Sequence, residues 1–263
     1  MIRVEDLHVT FNQGTPLENP VFRGLSLSIP EGQFVTVIGS NGAGKSTFLN
    51  VVSGEVGVQK GHIYLGEQDI TSWPVHKRAP HVARVFQDPL TGTCESLSIE
   101  ENLALAQART KTRNLSRAAK KAFRARFISK LRTLQLGLEN RLTDKIGLLS
   151  GGQRQAVSLL MASLQPMKLL LLDEHTAALD PKTAKFILEL TDEIIRTEKL
   201  TALMVTHSMK QALSVGDRTI MLHQGQLAFD VEGEARSKMG TQDLIALFHK
   251  NHSELDDDAL LLS

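Results

Sequence analysis

At 263 residues, 41% of them hydrophobic, the chain is long enough to bury a substantial core and too apolar to be disordered. Thirty basic against 29 acidic side chains leave a formal charge of +1, which excludes a global field drawing it to nucleic acid or an anionic membrane; such a partner must be met through a local patch. A single cysteine, Cys94, excludes an intrachain disulfide and a cysteine-rich zinc site and fits a reducing compartment, where it reads as an ordinary loop thiol.

The N-terminus, Met1-Ile2-Arg3-Val4-Glu5-Asp6, has no apolar signal core. No segment approaches the roughly 18 uninterrupted apolar residues that a membrane helix requires, so a soluble, cytoplasmic protein is expected. Short β-like runs at Ile2 to Thr10 and Leu25 to Ile29 alternate with turn clusters at Asn12-Gln13-Gly14 and Pro30-Glu31-Gly32, which predicts antiparallel strands. Phe34 to Ile38 is continuously apolar or β-branched, as a strand covered by helices on both faces must be. It ends at Gly39-Ser40-Asn41-Gly42-Ala43-Gly44-Lys45-Ser46, after which Ser46 to Ser53 is expected to be helical.

From about Leu97 to Leu164 the pattern is helical, implying a helical subdomain. Buried strands return at Leu169 to Leu172 and Thr201 to Val205, with a helix from about Lys182 to Thr197 between them, a βαβ unit. Thr219 to His223 and Gln226 to Asp230 are joined through Gln224-Gly225 in hairpin fashion. Thr241 to Phe248 reads as a short amphipathic helix, followed by Glu254-Leu255-Asp256-Asp257-Asp258, an acidic end expected to be solvated and frayed. No internal repeat appears.

The glycine-rich loop is a P-loop. Its glycines let consecutive backbone N–H groups curl around an anion at a helix N-terminus, where the helix dipole favours negative charge. A nucleotide is the expected ligand, with Ser40, Asn41, Gly42, Ala43, Gly44 and Thr47 around its phosphates, Lys45 reaching the β- and γ-phosphates and Ser46 ligating Mg²⁺. The strand Leu169 to Leu172 delivers Asp173 and Glu174 to the C-terminal edge of a sheet, where doubly wound sheets bind ligands. Two acids there could be a solvated turn; beside a P-loop they favour catalysis, Asp173 in the Mg²⁺ shell through water and Glu174 as general base.

About a hundred residues after the P-loop stands Leu149-Ser150-Gly151-Gly152-Gln153, a second glycine-rich element shortly before Leu172-Asp173-Glu174. With these motifs the chain resembles the ATPase subunit of an ATP-binding cassette (ABC) transporter over nearly its whole length. The resemblance implies an α/β P-loop NTPase fold: a RecA-like, mostly parallel sheet core, an N-terminal antiparallel β-subdomain (with the core, about 1–88 and 166–235) and an α-helical subdomain (about 89–165). It implies a single ATPase domain over 1–240 and a short C-terminal helix and acidic tail over 241–263.

The resemblance further implies that Ser150, Gly151, Gly152 and Gln153 contact the γ-phosphate held by a second copy, so that hydrolysis needs two cassettes, in a homodimer or a heterodimer. Ser150 is also an N-cap, opening a helix expected from Gln153 to Ser163, and the two roles do not compete. Gln87, in Val85-Phe86-Gln87-Asp88-Pro89, looks like the Q-loop glutamine that senses Mg²⁺ and water near the transmembrane subunit. His207 looks like the switch histidine, and Asp180 like the aspartate that crosses the dimer interface. Phe11 is the candidate for stacking on adenine, or else a core ring of the β-subdomain. Where many relatives have proline after the catalytic glutamate, this chain has His175.

Arg109, Lys111, Arg113, Arg117, Lys120, Lys121, Arg124 and Arg126 occur with no acidic residue among them. They read as a solvated helical face with Ala118, Ala122, Phe123 and Phe127 turned inward, or as a docking surface for nucleic acid or lipid headgroups. The wording Phe86-Gln87-Asp88-Pro89-Leu90-Thr91-Gly92-Thr93 looks like that of bacterial uptake systems for amino acids. That likeness implies integral membrane permease subunits and an extracytoplasmic solute-binding protein as partners, no direct nucleic-acid partner, and a peripheral place on the inner face of the membrane. An exporter subunit, or an ABC ATPase acting on nucleic acid or ribosomes, is the alternative; the latter usually carries tandem cassettes or long coiled-coil insertions, which this chain lacks.

Overall fold

The computed structural model describes residues 1–109 and 121–251. They form two compact units, Met1–Arg78 with Lys199 onward, and Ala79–Glu198.

The first unit opens with the long strands β1 (Ile2–Phe11) and β2 (Asn19–Ile29), then β3 (Phe34–Ile38), helix α1 (Lys45–Ser53), β4 (Lys60–Leu65), the two-residue β5 (Gln68–Asp69) and a turn of helix, α2 (Val75–Arg78). Strands β2-β1-β4-β5 make an antiparallel sheet. Strand β2 starts six residues before Leu25, where the sequence predicted it, because Pro20 and Gly24 read as breakers. At a sheet edge neither is one, since the outward N–H of an edge strand needs no partner. Strand β4 was not foreseen because Gly61 interrupts its pattern. The structure needs that glycine: β1 bulges at Asp6 (φ 47°), and a Cβ on Gly61 would lie 2.3 Å from the Asp6 carbonyl oxygen.

The second unit holds β6 (Val82–Val85), α3 (Ile99–Gln107), α4 (Lys121–Thr133), α5 (Gly151–Ser163), β7 (Leu169–Asp173) and α6 (Pro181–Thr197), with short 3₁₀ turns at Leu138–Asn140 and Ile146–Leu148. Strands β6 and β7 pair in parallel, Val82 opposite Leu169 through Val85 opposite Leu172, and all four leucines of β7 are fully buried. Helix α6 is capped by Asp180, with Pro181 in its first turn where no N–H is missed.

The basic run is only partly a solvated face. Arg109 and Arg126 donate to the carbonyls of Ala162 (3.4 Å) and Leu164 (3.1 Å) at the C-terminal end of α5, favourable ground for cations. Arg124 pairs with Glu100 at 3.0 Å. Phe127 is buried with Phe123 stacked on it, as expected of the inward face. Lys111, Arg113, Arg117, Ala118 and Lys120, like the acidic end Glu254 to Asp258, lie outside the described residues, as do the side chains of Lys121 and Ala122.

The chain returns to the first unit with β8 (Ala202–Val205), α7 (Met209–Ser214), β9 (Arg218–His223), β10 (Gln226–Glu232), α8 (Gly233–Ser237) and α9 (Thr241–Asn251). Strand β3 is central, parallel to both β8 and β9, while β10 pairs antiparallel with β9 through the predicted turn, where Gln224 and Gly225 both have positive φ. Leu244 of α9 is fully buried against Ile38, Met209, Met221 and Phe229, so the amphipathic helix is docked on this unit's core.

Candidate nucleotide-binding site

In the first unit the buried strand β3 runs into the phosphate loop, and the loop opens α1. Gly44 is the helix N-cap at φ 99°, a left-handed conformation glycine adopts without strain, and no side chain caps the helix. The first-turn N–H groups therefore lack the usual side-chain acceptor and suit an anion. The glycines are required on different grounds. A Cβ on Gly39 would meet the Leu222 carbonyl oxygen at 2.2 Å, and one on Gly44 the Phe22 ring at 2.9 Å. Gly42 has open space around it but φ 77°.

Lys45 is buried, and its ammonium donates to the carbonyls of Gly39 (2.7 Å) and Ser40 (3.0 Å), which folds it back over its own loop. Ser46 and Asn41 are exposed, and Thr47 and Ser40 half-buried. Phe11 ends β1 with 37% of its surface exposed, a ring available for stacking and not a core residue. His207 is exposed after β8, where Ser208 caps α7 by accepting from the Gln211 N–H.

The second unit gathers the remaining predicted residues. Gln87 is exposed just past β6. Asp173 ends β7, its carboxylate 2.6 Å from a guanidinium nitrogen of Arg84 on β6. Glu174 follows with φ 46°, a left-handed conformation that costs a non-glycine residue on the order of 1 kcal/mol or more and turns the chain sharply at the strand's end.

Ser150 caps α5 in a capping box: its hydroxyl accepts from the Gln153 N–H, and the Gln153 side chain accepts from the Ser150 N–H. The helix thus begins at Gly151, two residues before the predicted Gln153, because the box places both glycines in the first turn. Asp180 caps α6, and its carboxyl is held below the usual carboxylate range by hydrogen bonds from the Thr183 hydroxyl, then from backbone N–H groups of Thr183 and Lys182.

His175 is buried, and desolvation pushes it down to about 4, so it is neutral at physiological pH. The Thr191 hydroxyl donates to the Ile187 carbonyl (2.7 Å), so its 2.9 Å contact with His175 Nε2 has the imidazole as donor.

Three supporting residues escaped the sequence reading: Gly225, whose N–H donates to the Ala43 carbonyl of the phosphate loop (3.1 Å), Arg84, and Gln155, whose amide donates to the Phe86 carbonyl (3.2 Å). Only the glycine of a two-residue hairpin turn carried any sequence signal.

The family model described as ABC transporter matches residues 22–177. The chain belongs to that family. This cassette is 44% identical over 249 residues to a tyrosine transport ATP-binding protein of Clostridioides difficile (strain R20291), covering 94% of this chain and 98% of that one. It is 34% identical over 204 residues to the thiamine import ATP-binding protein ThiQ of Salmonella choleraesuis (strain SC-B67), covering 78% and 82%. Among solved structures, the dimeric ATP-binding cassette MJ0796 in a post-hydrolysis state with ADP and Pi superposes with a TM-score of 0.75 at 26% identity, over 88% of this chain and 98% of that one. The fold is thus that of a P-loop NTPase cassette, its bound nucleotide is ATP and its activity is ATP hydrolysis.

Proposed function

We propose that two copies of this cassette close on two ATP molecules and so drive a separate pair of integral membrane permease subunits, importing a small solute delivered by an extracytoplasmic binding protein. An amino acid or related molecule is the solute class that the 44% identical relative, a tyrosine transport protein, supports. Among the described residues no helix is long and apolar enough to cross a membrane. In this reading the solute's path belongs to other subunits, and the cassette is peripheral to them on the cytoplasmic face.

One observation carries the two-copy reading. Gly151 is exposed, its φ is not positive, and a Cβ there would meet only Leu179 at an ordinary 3.5 Å. Its own fold does not require a glycine at this position; close approach of a phosphate from outside does. Gly152 differs, since a Cβ there would lie 2.2 Å from the Thr183 methyl on α6. With Ser150 exposed at the start of a 13-residue helix, the element places the Ser150 side chain and the Gly151 backbone at the surface.

Lys45 and the loop amides then hold the phosphates, Phe11 the adenine, and Glu174 takes the proton of the attacking water. His207 and Gln87 contact the γ-phosphate and its water, and Asp180 lies at the interface between copies. Ser46, Gln87 and Asp173 are hard oxygen donors suited to Mg²⁺. The described residues contain no cluster of three or more His, Cys, Asp or Glu able to cage a metal, which fits an ion held mostly by phosphates and water. When bound, Mg²⁺ neutralises charge on the transferring phosphoryl group.

The test uses Glu174→Gln, tagged in the native cell and purified with ATP and Mg²⁺ from mild detergent. Recovery of an integral membrane protein supports the reading and identifies the permease. Recovery of ribosomes or DNA with no membrane protein overturns it.

A further inference from the structure

We propose that Arg84 is a positioning residue: it is the built-in counter-ion of Asp173, and it sets how strongly that carboxylate holds the nucleotide's divalent cation. The proposal rests on the reading of Asp173 as part of the metal shell. Arg84 lies on β6 opposite Leu171 of β7, and its Nη2 reaches forward to Asp173 Oδ2 at 2.6 Å. Only 10% of the Arg84 side chain and 14% of the Asp173 side chain are exposed. Water therefore screens this pair far less than a surface pair, and the guanidinium removes much of the negative charge that Asp173 would otherwise present to a cation.

The arginine is also immobilised. Its guanidinium lies over the Phe86 ring, 4.8 Å from the centroid, and the Phe86 carbonyl is gripped by the fully buried Gln155 of α5. Gln155 sits five residues past Ser150 on the same helix, so the platform under Arg84 is fixed by the helix that carries the outward-facing Ser150 and Gly151. Asp173 is the one acid on the two paired strands, so the guanidinium and this carboxylate are matched to each other. The salt bridge takes the acid that ends β7, immediately before the strained Glu174, and turns its Oδ2 toward β6. The carboxylate is thereby oriented before a cation arrives, and a fully charged acid never stands uncompensated at the strand's end.

The experiment measures the metal's contribution to nucleotide binding in the full-length protein: the affinity for a non-hydrolysable ATP analogue with saturating Mn²⁺ divided by that in EDTA. Arg84→Met, which keeps length and packing but not charge, is expected to raise this ratio about tenfold, while Arg84→Lys, which keeps the charge, stays within about threefold of wild type. Asp173→Asn is expected to lower the ratio about tenfold. If Arg84→Met does not fold, Arg84→Gln takes its place with the same expected rise. A ratio unchanged or lowered in a folded neutral variant, while Asp173→Asn lowers it, overturns the role of Arg84 alone. No effect of Asp173→Asn removes Asp173 from the metal shell, and the proposal falls with it.

Discussion

The N–H of Gly225, in the turn between β9 and β10, donates to the carbonyl of Ala43 in the phosphate loop at 3.1 Å. The same residue has φ 73°, and a Cβ on it would fall 1.6 Å from the Val21 carbonyl oxygen. A hairpin about 180 residues downstream in the chain thus braces the phosphate loop. Gly225→Ala is expected to lose about 3 kcal/mol of stability through the backbone collision and forced positive φ, and to weaken ATP binding in whatever protein remains folded. Urea unfolding followed by nucleotide titration reads both.

The Lys45 ammonium donates to the Gly39 and Ser40 carbonyls, which holds its charge over the phosphate loop, and the proposed function assigns that charge to the nucleotide. Lys45→Ala is expected to weaken ATP binding by about 10- to 150-fold, the range of a lost charge-assisted hydrogen bond. Isothermal titration calorimetry measures it, and a loss of less than about threefold would contradict the role.

Glu174→Gln is expected to lower kcat for ATP hydrolysis by at least about 100-fold, the usual contribution of a general base, with nucleotide affinity retained. Phosphate release and equilibrium binding, measured on one preparation, separate the two effects.

Ser150 caps α5, and the proposed function gives its hydroxyl a second role that can be separated from capping. Ser150→Ala removes the hydroxyl that accepts from Gln153 N–H and should cost about 1 kcal/mol of stability. Ser150→Asp, an equally good N-cap, should restore that stability without restoring hydrolysis, because its carboxylate has no proton to donate to a phosphate and repels one. Recovery of full activity in Ser150→Asp would show that capping was its whole contribution.

His175 gives a pH dependence with a definite sign. Its folded-state value of about 4 lies below the ordinary 6.5, so the unfolded chain binds the proton more readily. Stability is therefore present above pH 6.5 and is lost as pH falls toward 4, by about 2 kcal/mol at pH 5. His175→Leu leaves the Thr191 hydroxyl bonded to Ile187 and should flatten this part of the profile, measured by urea unfolding at pH 7 and pH 5.

The sequence by itself determined what depends on neighbours along the chain. Phe34 to Ile38 and Leu169 to Leu172 announced buried strands because every side chain there is apolar or β-branched, and Ser150 announced a helix start because capping is local chemistry. Only the tertiary structure decided what depends on residues distant in sequence. Strand β4 exists because Gly61 lets it pass the bulge at Asp6, and β2 tolerates Pro20 because it is an edge. His175 is neutral because burial, which no local pattern reports, strips its solvation. Arg84 carries no sequence signal of its role: the parallel pairing of β6 with β7 brings it to Asp173, 89 positions away, since side chains meet across a sheet by register and not by sequence distance.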